Sequence, residues 1–88
     1  MELIIFFKSK AEVELQLNQD GGLLDRLIFA LDIHFDTMLV TSIDKILKRN
    51  KIDSSSLKTI EVKVISGLES SSAYNIATAV GKAIKSRN

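Results

Sequence analysis

The stretch AEVELQLNQDGGLLDRLIFAL, residues 11–31, has the sequence pattern of a β-hairpin. In its first part Val13, Leu15 and Leu17 alternate with polar residues, which is the pattern of a strand with one buried face. The segment NQDGG then supplies the residue types that form hairpin connections. Residues 23–31 are therefore predicted to return as an antiparallel strand, with a short helix as the alternative interpretation.

Two further segments extend this hairpin into a larger sheet. The continuous apolar run LIIFF, residues 3–7, predicts a strand that is covered on both faces and central in its sheet. Residues 53–56, DSSS, have the composition of a loop, and residues 57–65, LKTIEVKVI, alternate again and predict a fourth strand. A helix between strands three and four is consistent with a parallel crossover.

The segment TMLVTSIDKILKRN, residues 37–50, predicts the first helix. Asp36 is placed to cap its N-terminus and Asn50 to close its C-terminus. Lys48 and Arg49 lie in the last turn, where cations suit the helix dipole. The apolar residues that share one face at helical spacing are Leu39, Val40, Ile43, Ile46 and Leu47.

With a second helix near the C-terminus, the element order predicts an α+β fold. It is a single βββαβα lobe, residues 1–88, with a mixed sheet and both helices on one face.

The net charge of +1 gives no global argument for a nucleic-acid partner. The absence of cysteine and the presence of one histidine exclude a disulfide framework, a thiolate metal site and a multi-histidine metal site. The start MELIIFFKSK lacks a basic leader and is too short to span a bilayer, which predicts a cytoplasmic protein.

The second helix has an unusually wide apolar arc. In GLESSSAYNIATAVGKAI, residues 67–84, one of Ser70 to Ser72 is placed to cap the helix. On a helical wheel the apolar residues after the cap fill roughly 220°, whereas a stripe of about 100° is enough to dock a helix on a sheet. The first helix can cover all of the surplus, or a partner molecule can cover part of it. The second interpretation assigns the partner surface to Leu39, Ile43, Ala73, Ile76, Ala77, Val80, Gly81 and Ile84.

The same stretch resembles a known family. SGLESSSAYNIATAVGKA, residues 66–83, is similar to the G-P-G-S-F-T-G-L-R-I-G-x-A-T-A-K-G-L-A pattern of TsaB, the accessory protein of bacterial threonylcarbamoyladenosine tRNA modification. Without gaps, Gly67 meets the second glycine of G-P-G, residues 77–79 meet A-T-A, and Gly81 meets the glycine that follows. Upstream, SIDKILKRNKIDSSSLKTIEVKV, residues 42–64, is similar to the segment before that pattern in the family.

The resemblance implies one N-terminal lobe of the actin- and Hsp70-like, RNase H-like fold. TsaB is implied to be non-catalytic and to pair through this lobe with the catalytic paralogue TsaD, helices against helices. The resemblance therefore implies an interaction module that forms either a homodimer or a heterodimer with a TsaD-like protein. In a homodimer the contact would be isologous across a two-fold axis.

The departures from the family pattern favour a pairing module over a nucleotide site. The Asp-Thr-Ser that ends the family's first strand is replaced by Phe7, Lys8 and Ser9, so a phenyl ring stands where the carboxylate would be. The family's Phe-Thr-Gly falls on residues 69–71, and its arginine falls on Ala73. The second lobe is absent from these 88 residues, and the nucleotide site of this superfold lies between two lobes.

Three other features could carry chemistry. His34, close to Asp32 and Asp36, could transfer protons, although a lone histidine at a strand–helix junction is more often structural. The serines 70–72 could begin a phosphate-binding helix, but they lack a G-x-S-x-G elbow and a P-loop lysine. The alternative function is accordingly a small nucleotide-binding or hydrolytic protein that uses His34, Asp36 and this serine loop.

The third feature is a set of basic residues at the helix C-termini, which lacks the interleaved aromatics of RNA-binding surfaces. Direct nucleic-acid binding is therefore not expected, and no catalytic, cofactor or metal residue is assigned. The basic residues are Lys48, Arg49, Lys51, Lys82, Lys85 and Arg87.

Overall fold

The computed structural model describes residues 1–9, 11–64 and 72–86, with the backbone alone described at positions 72, 73, 85 and 86. It confirms the α+β class and the βββαβα order. The elements are β1 (Glu2–Phe7), β2 (Glu12–Gln19), β3 (Gly22–Ala30), α1 (Phe35–Arg49), a short 3₁₀ turn (Ser54–Ser56), β4 (Thr59–Val64) and α2 (Ser72–Ser86).

The four strands form one mixed sheet in the order β3-β2-β1-β4. β2 pairs antiparallel with both β1 and β3, and β4 pairs parallel with β1. The central position of β1 and the parallel crossover through α1 are both confirmed. Asp20 and Gly21 form the predicted hairpin turn and both have positive φ, 54° and 82°, as type I′ turns require.

Both helices pack on the same face of the sheet. On that face Leu3, Ile5 and Phe7 of β1 are fully buried, in line with their antiparallel partners on β2. The prediction that β1 is covered on both faces is wrong in one respect, because both helices lie on this face. On the other face Ile4 is nevertheless only 6% exposed, with long side chains opposite it: Gln16 on β2 and Glu61 on β4.

The N-terminus of α1 differs from the sequence prediction. The helix begins at Phe35, with His34 in the N-cap position and no side-chain cap hydrogen bond. Asp36 lies inside the first turn, where its Oδ1 accepts a hydrogen bond of 2.8 Å from the N–H of Thr37. The prediction that Asp36 caps the helix is therefore wrong. The chain turns earlier because Asp32 accepts hydrogen bonds from the N–H groups of His34 and Phe35.

The other predicted boundaries hold with small changes. Asn50 closes α1, as expected, and Lys51 follows with a left-handed φ of 57°. The loop at 53–56 contains the 3₁₀ turn, capped by the Asp53 side chain, and β4 is shorter than predicted. Gly67, Ser70 and Ser71, predicted to form the turn and cap before α2, lie outside the described residues. None of the described helices is both long and apolar enough to cross a membrane.

Candidate functional site

The end of β1 is filled by an aromatic cluster. Phe7 is fully buried, and its ring meets Phe35 and Tyr74 edge to face, with centroid distances of 5.7 Å and 6.5 Å. Phe29 of the edge strand stacks on Phe35 at 6.0 Å. In the loop that follows, the hydroxyl of Ser9 accepts hydrogen bonds from two backbone N–H groups of the next turn. The place where the family resemblance puts a carboxylate is thus a dry, apolar part of the core.

His34 and its two acidic neighbours lie on the surface at the start of α1. Asp32 and Asp36 each accept a hydrogen bond from a backbone N–H, so both carboxylates shape the local turn. The side chains of all three residues are exposed. Ser72, the last of the three candidate serines, is the first residue of α2. Among the described residues, no group of three or more histidine and acidic side chains could hold a metal ion.

Most of the predicted partner surface lies inside the molecule, and this part of the prediction is corrected. Five of the eight residues are buried in the chain's own core, and Ile76 and Val80 are half-buried. The side chain of Ala73 lies outside the described part. The five buried residues are Leu39, Ile43, Ala77, Gly81 and Ile84.

The wide apolar arc of α2 has a physical explanation within the chain. α2 packs against three neighbours: β4 beneath it, α1 beside it and the 3₁₀ turn. A Cβ atom added at Gly81 would lie 3.2 Å from Cγ2 of Ile60 on β4, so the helix backbone lies close to the sheet. Small residues permit this close approach, and the neighbours other than the sheet account for the width of the arc beyond one stripe. Ala79, at the margin of the arc, is exposed.

A groove beside α1 is open on the helical side. Val40 is 55% exposed, although the sequence placed it on the buried face. It lines a depression of about 360 Å³ with Thr37, Thr41, Asp36 and Val80 of α2.

A second depression of about 560 Å³ shares Val40 and Thr41 with the first and continues toward the 3₁₀ turn. Its lining includes the nearly buried side chains of Ile43 and Leu47. We call the two depressions together the inter-helix groove; α2 contributes Val80 to its lining, and α1 with the loop that follows it contributes the rest. Its polar members include Asp44 and Lys48, which form an exposed ion pair of 3.0 Å one helical turn apart. The groove therefore combines apolar side chains with a polar margin, the composition of a protein-contact surface.

A cluster of polar side chains ties α1 to the edge strand β3. The guanidinium of Arg49 donates through Nε and Nη2 to the Asp25 carboxylate at 2.6 Å and 2.7 Å, and the Asn50 amide donates to the same carboxylate at 2.7 Å. The hydrogen bonds from Arg49, then from Asn50, hold the pKa of the Asp25 carboxyl far below its ordinary value. The sequence reasoning missed this cluster. The available signal was that Asp25 shares the helix-covered face with Leu27 and Phe29, where a carboxylate needs a partner.

A second polar contact lies on the opposite face of the sheet. Glu14 is only 4% exposed, accepts a hydrogen bond of 2.6 Å from the Gln16 amide and pairs with Lys8 at 3.3 Å. The hydrogen bond from Gln16 is the largest cause that lowers the pKa of Glu14. These three side chains satisfy one another, so they form a structural contact.

Among the described residues, the basic side chains considered for RNA binding divide into two groups. Arg49 and Lys48 are engaged with Asp25 and Asp44. Lys51 and Lys82 are exposed, while the side chains at positions 85 and 87 lie outside the described part. The two engaged cations are thus partly neutralised by acidic neighbours.

In comparisons with known proteins, no family model and no curated protein matches the chain.

Proposed function

We propose that this chain is a non-catalytic interaction module that pairs through its two helices, with the inter-helix groove as the contact surface. The partner is a second copy of the chain or a TsaD-like protein. The role proposed for the pair is in threonylcarbamoyladenosine tRNA modification in the cytoplasm, which rests on the resemblance to the TsaB lobe.

The observation that carries the proposal is the exposure of Val40. This apolar side chain is 55% exposed and lines both depressions of the groove. Ile43 and Leu47 supply an apolar lining that is already desolvated, and Val80 of α2 lies in the same surface. Burial of such a patch against a partner helix is favourable in proportion to the apolar area removed from water.

The core at the end of β1 favours this proposal over the nucleotide-binding alternative. A nucleotide site needs polar groups that can reach phosphates or a bound cation. Phe7, Phe35 and Tyr74 fill the corresponding place with aromatic rings.

The test is the replacement of Val40 by arginine. Because Val40 is largely exposed, we expect Val40→Arg to fold normally while it places a charge in the contact. Light scattering over a concentration range would give the mass of the wild-type chain, and a pull-down would measure capture by a TsaD-like protein. We expect the variant to lose whichever association the wild type shows.

Met38→Arg is the matched control, because Met38 is 39% exposed on the same helix and does not line either depression. It should associate as the wild type does. The proposal fails if the wild type neither self-associates nor captures the TsaD-like protein, or if both arginine variants behave alike. Calorimetric binding of ATP by the chain would also contradict it, in favour of the nucleotide-binding alternative.

A further inference from the structure

The outer edge of β3 is closed by side chains at Arg26 and open at Ile28 and Ala30. The ladder between β2 and β3 is regular from Asp25 to Ala30, and it continues as the N–H of Leu31 donates to the carbonyl of Ala11. Because antiparallel pairs alternate, odd-numbered residues of this stretch bond to β2, and the N–H and C=O groups of Arg26, Ile28 and Ala30 point outward.

Side chains occupy both outward groups of Arg26. Its N–H donates to Oδ1 of Asp25 at 2.8 Å, and its carbonyl accepts from Nη2 of Arg49 at 2.8 Å. The same Nη2 also donates to Asp25 at 2.7 Å, so one ion pair satisfies the donor and the acceptor at this position. In the described part of the chain, the outward groups of Ile28 and Ala30 have no hydrogen-bond partner.

Without the hydrogen bonds at Arg26, β3 would be suited to pair with the β3 strand of a second copy of the chain. β3 has nine residues without lysine or proline, and three of its large apolar side chains are exposed: Leu23, Leu24 and Ile28. Long apolar edge strands of this kind are templates for pairing with another chain. The only charges of β3 are one acid and one base, so a two-fold arrangement need not oppose like charges.

The occupied backbone groups of Arg26 limit the registers in which two β3 strands can pair. In an antiparallel β3–β3 contact the hydrogen-bonded residues must point outward on both strands. If Ile28 pairs with its own copy, Arg26 pairs with Ala30, and if Leu27 lies on the two-fold axis, Arg26 pairs with Ile28. Any register longer than residues 28–30 therefore needs the outward groups of Arg26.

We propose that the Asp25–Arg49 ion pair closes the edge of β3 against a second copy of this chain. The device keeps strand pairing from competing with contacts made through the helices. Loss of the Asp25–Arg49 ion pair should leave the edge of β3 continuous from Arg26 to Ala30 and allow the sheets of two copies to join.

The test is Arg49→Met, because methionine keeps an unbranched apolar stem but has no hydrogen-bond donor, so the variant frees the carbonyl of Arg26. We expect the weight-average mass by light scattering to rise toward about twice the wild-type value as concentration increases. Addition of Ile28→Lys should return the mass to the wild-type value. In the register that places residue 28 opposite its own copy, the two lysines face each other; in the register with Leu27 on the two-fold axis, the lysine at position 28 faces Arg26. Like charges directly opposite each other disfavour strand pairing.

Lys45→Met is the matched control, since Lys45 is exposed one turn earlier on α1. It removes a cation and adds an exposed methionine while the hydrogen bonds of Arg49 to Asp25 and Arg26 stay in place, so the mass of this variant should stay at the wild-type value. Arg49→Lys is a second variant that keeps the charge but not the planar fork, and it should show a smaller gain in association.

The proposal is overturned if neither Arg49 variant gains mass while folded, or if Ile28→Lys does not reverse the gain. The outcome is distinguishable from that for the groove, because Val40→Arg should leave association of the Arg49→Met chain through β3 in place.

Discussion

The two helices are held to the same sheet by different means. α1 inserts large side chains such as Leu39 and Ile46, both fully buried, and its C-terminal end is fixed by the Asp25 cluster. α2 also buries Ile84, but it approaches the sheet closely through small residues. Ala77 is fully buried, and a Cβ atom added at Gly81 would lie 3.2 Å from Cγ2 of Ile60. This contrast indicates that the wide arc of small apolar residues on α2 reflects close approach to several neighbours within the chain. Such an arc is not by itself a partner surface.

Ala77→Arg tests the buried side of α2 and should have the largest effect. A long charged side chain would have to enter a fully buried position against the sheet, so we expect a loss of more than about 4 kcal/mol in the free energy of unfolding. Circular dichroism during urea denaturation measures it. Ala79→Arg is the control, because Ala79 is exposed on the same helix and should unfold almost as the wild type does. A folded Ala77→Arg chain that only lost association would restore the original assignment of Ala77 to a partner surface.

Leu39→Ala tests the large side chains that hold α1 and should have the second largest effect. Leu39 is fully buried, and removal of such a side chain usually costs about 2–5 kcal/mol, because transfer and cavity terms add. Val40→Ala, at the 55% exposed neighbour, should cost less than about 1 kcal/mol. Urea denaturation of the two variants compares them directly. Equal losses would mean that Val40 is as well packed as Leu39 in solution.

The sheet could be predicted from sequence because its signals are local. Alternation at Val13, Leu15 and Leu17 fixes which face of β2 is buried, and the Asp20–Gly21 turn fixes the hairpin. The cap of α1 could not be read in the same way, since Asp32 and Asp36 are both suitable residue types. The structure selects Asp32 as the residue that starts the turn, because its carbonyl and side chain bond to Phe35 and His34.

The candidate site was predicted only as far as the helices that form it. A helical wheel gives the width of an apolar arc but not the number of neighbours that cover it, and for this reason Ala77 and Gly81 were assigned to a partner. It also misplaced Val40, which shares its turn with Leu39 but lies at the margin of the buried stripe. The Asp25–Arg49 contact joins residues 24 apart, and no local pattern pairs them.

Asp25→Asn tests the polar attachment of α1, and its effect depends on pH. The pKa of Asp25 is lowered in the folded chain, so its contribution to stability is present above the unfolded pKa of about 3.9 and is lost as pH falls toward the folded value. Above about pH 5 the wild type should be more stable than Asp25→Asn by a constant amount. Below about pH 4 this difference should narrow by up to about 1.4 kcal/mol per pH unit. Urea denaturation at several pH values measures it, and a difference independent of pH would contradict the ion pair.

Gly81→Ala tests the close approach of α2 and should have the smallest effect, because two contributions oppose each other. Alanine in a helix is favoured over glycine by about 1 kcal/mol, but its Cβ would lie 3.2 Å from Cγ2 of Ile60, a contact that needs β4 to move. We therefore expect a net change below about 1 kcal/mol in the free energy of unfolding. Ala79→Gly, at an exposed position of the same helix, should lower the free energy of unfolding by the full difference in helix propensity, and so measures that difference in this helix. In an Ile60→Ala background Gly81→Ala should become stabilising, because the opposing methyl group is gone. Gly81→Ala could instead stabilise the wild type by as much as Ala79→Gly destabilises it. In that case β4 moves at no cost to accept the added Cβ, and the close approach does not determine the position of α2.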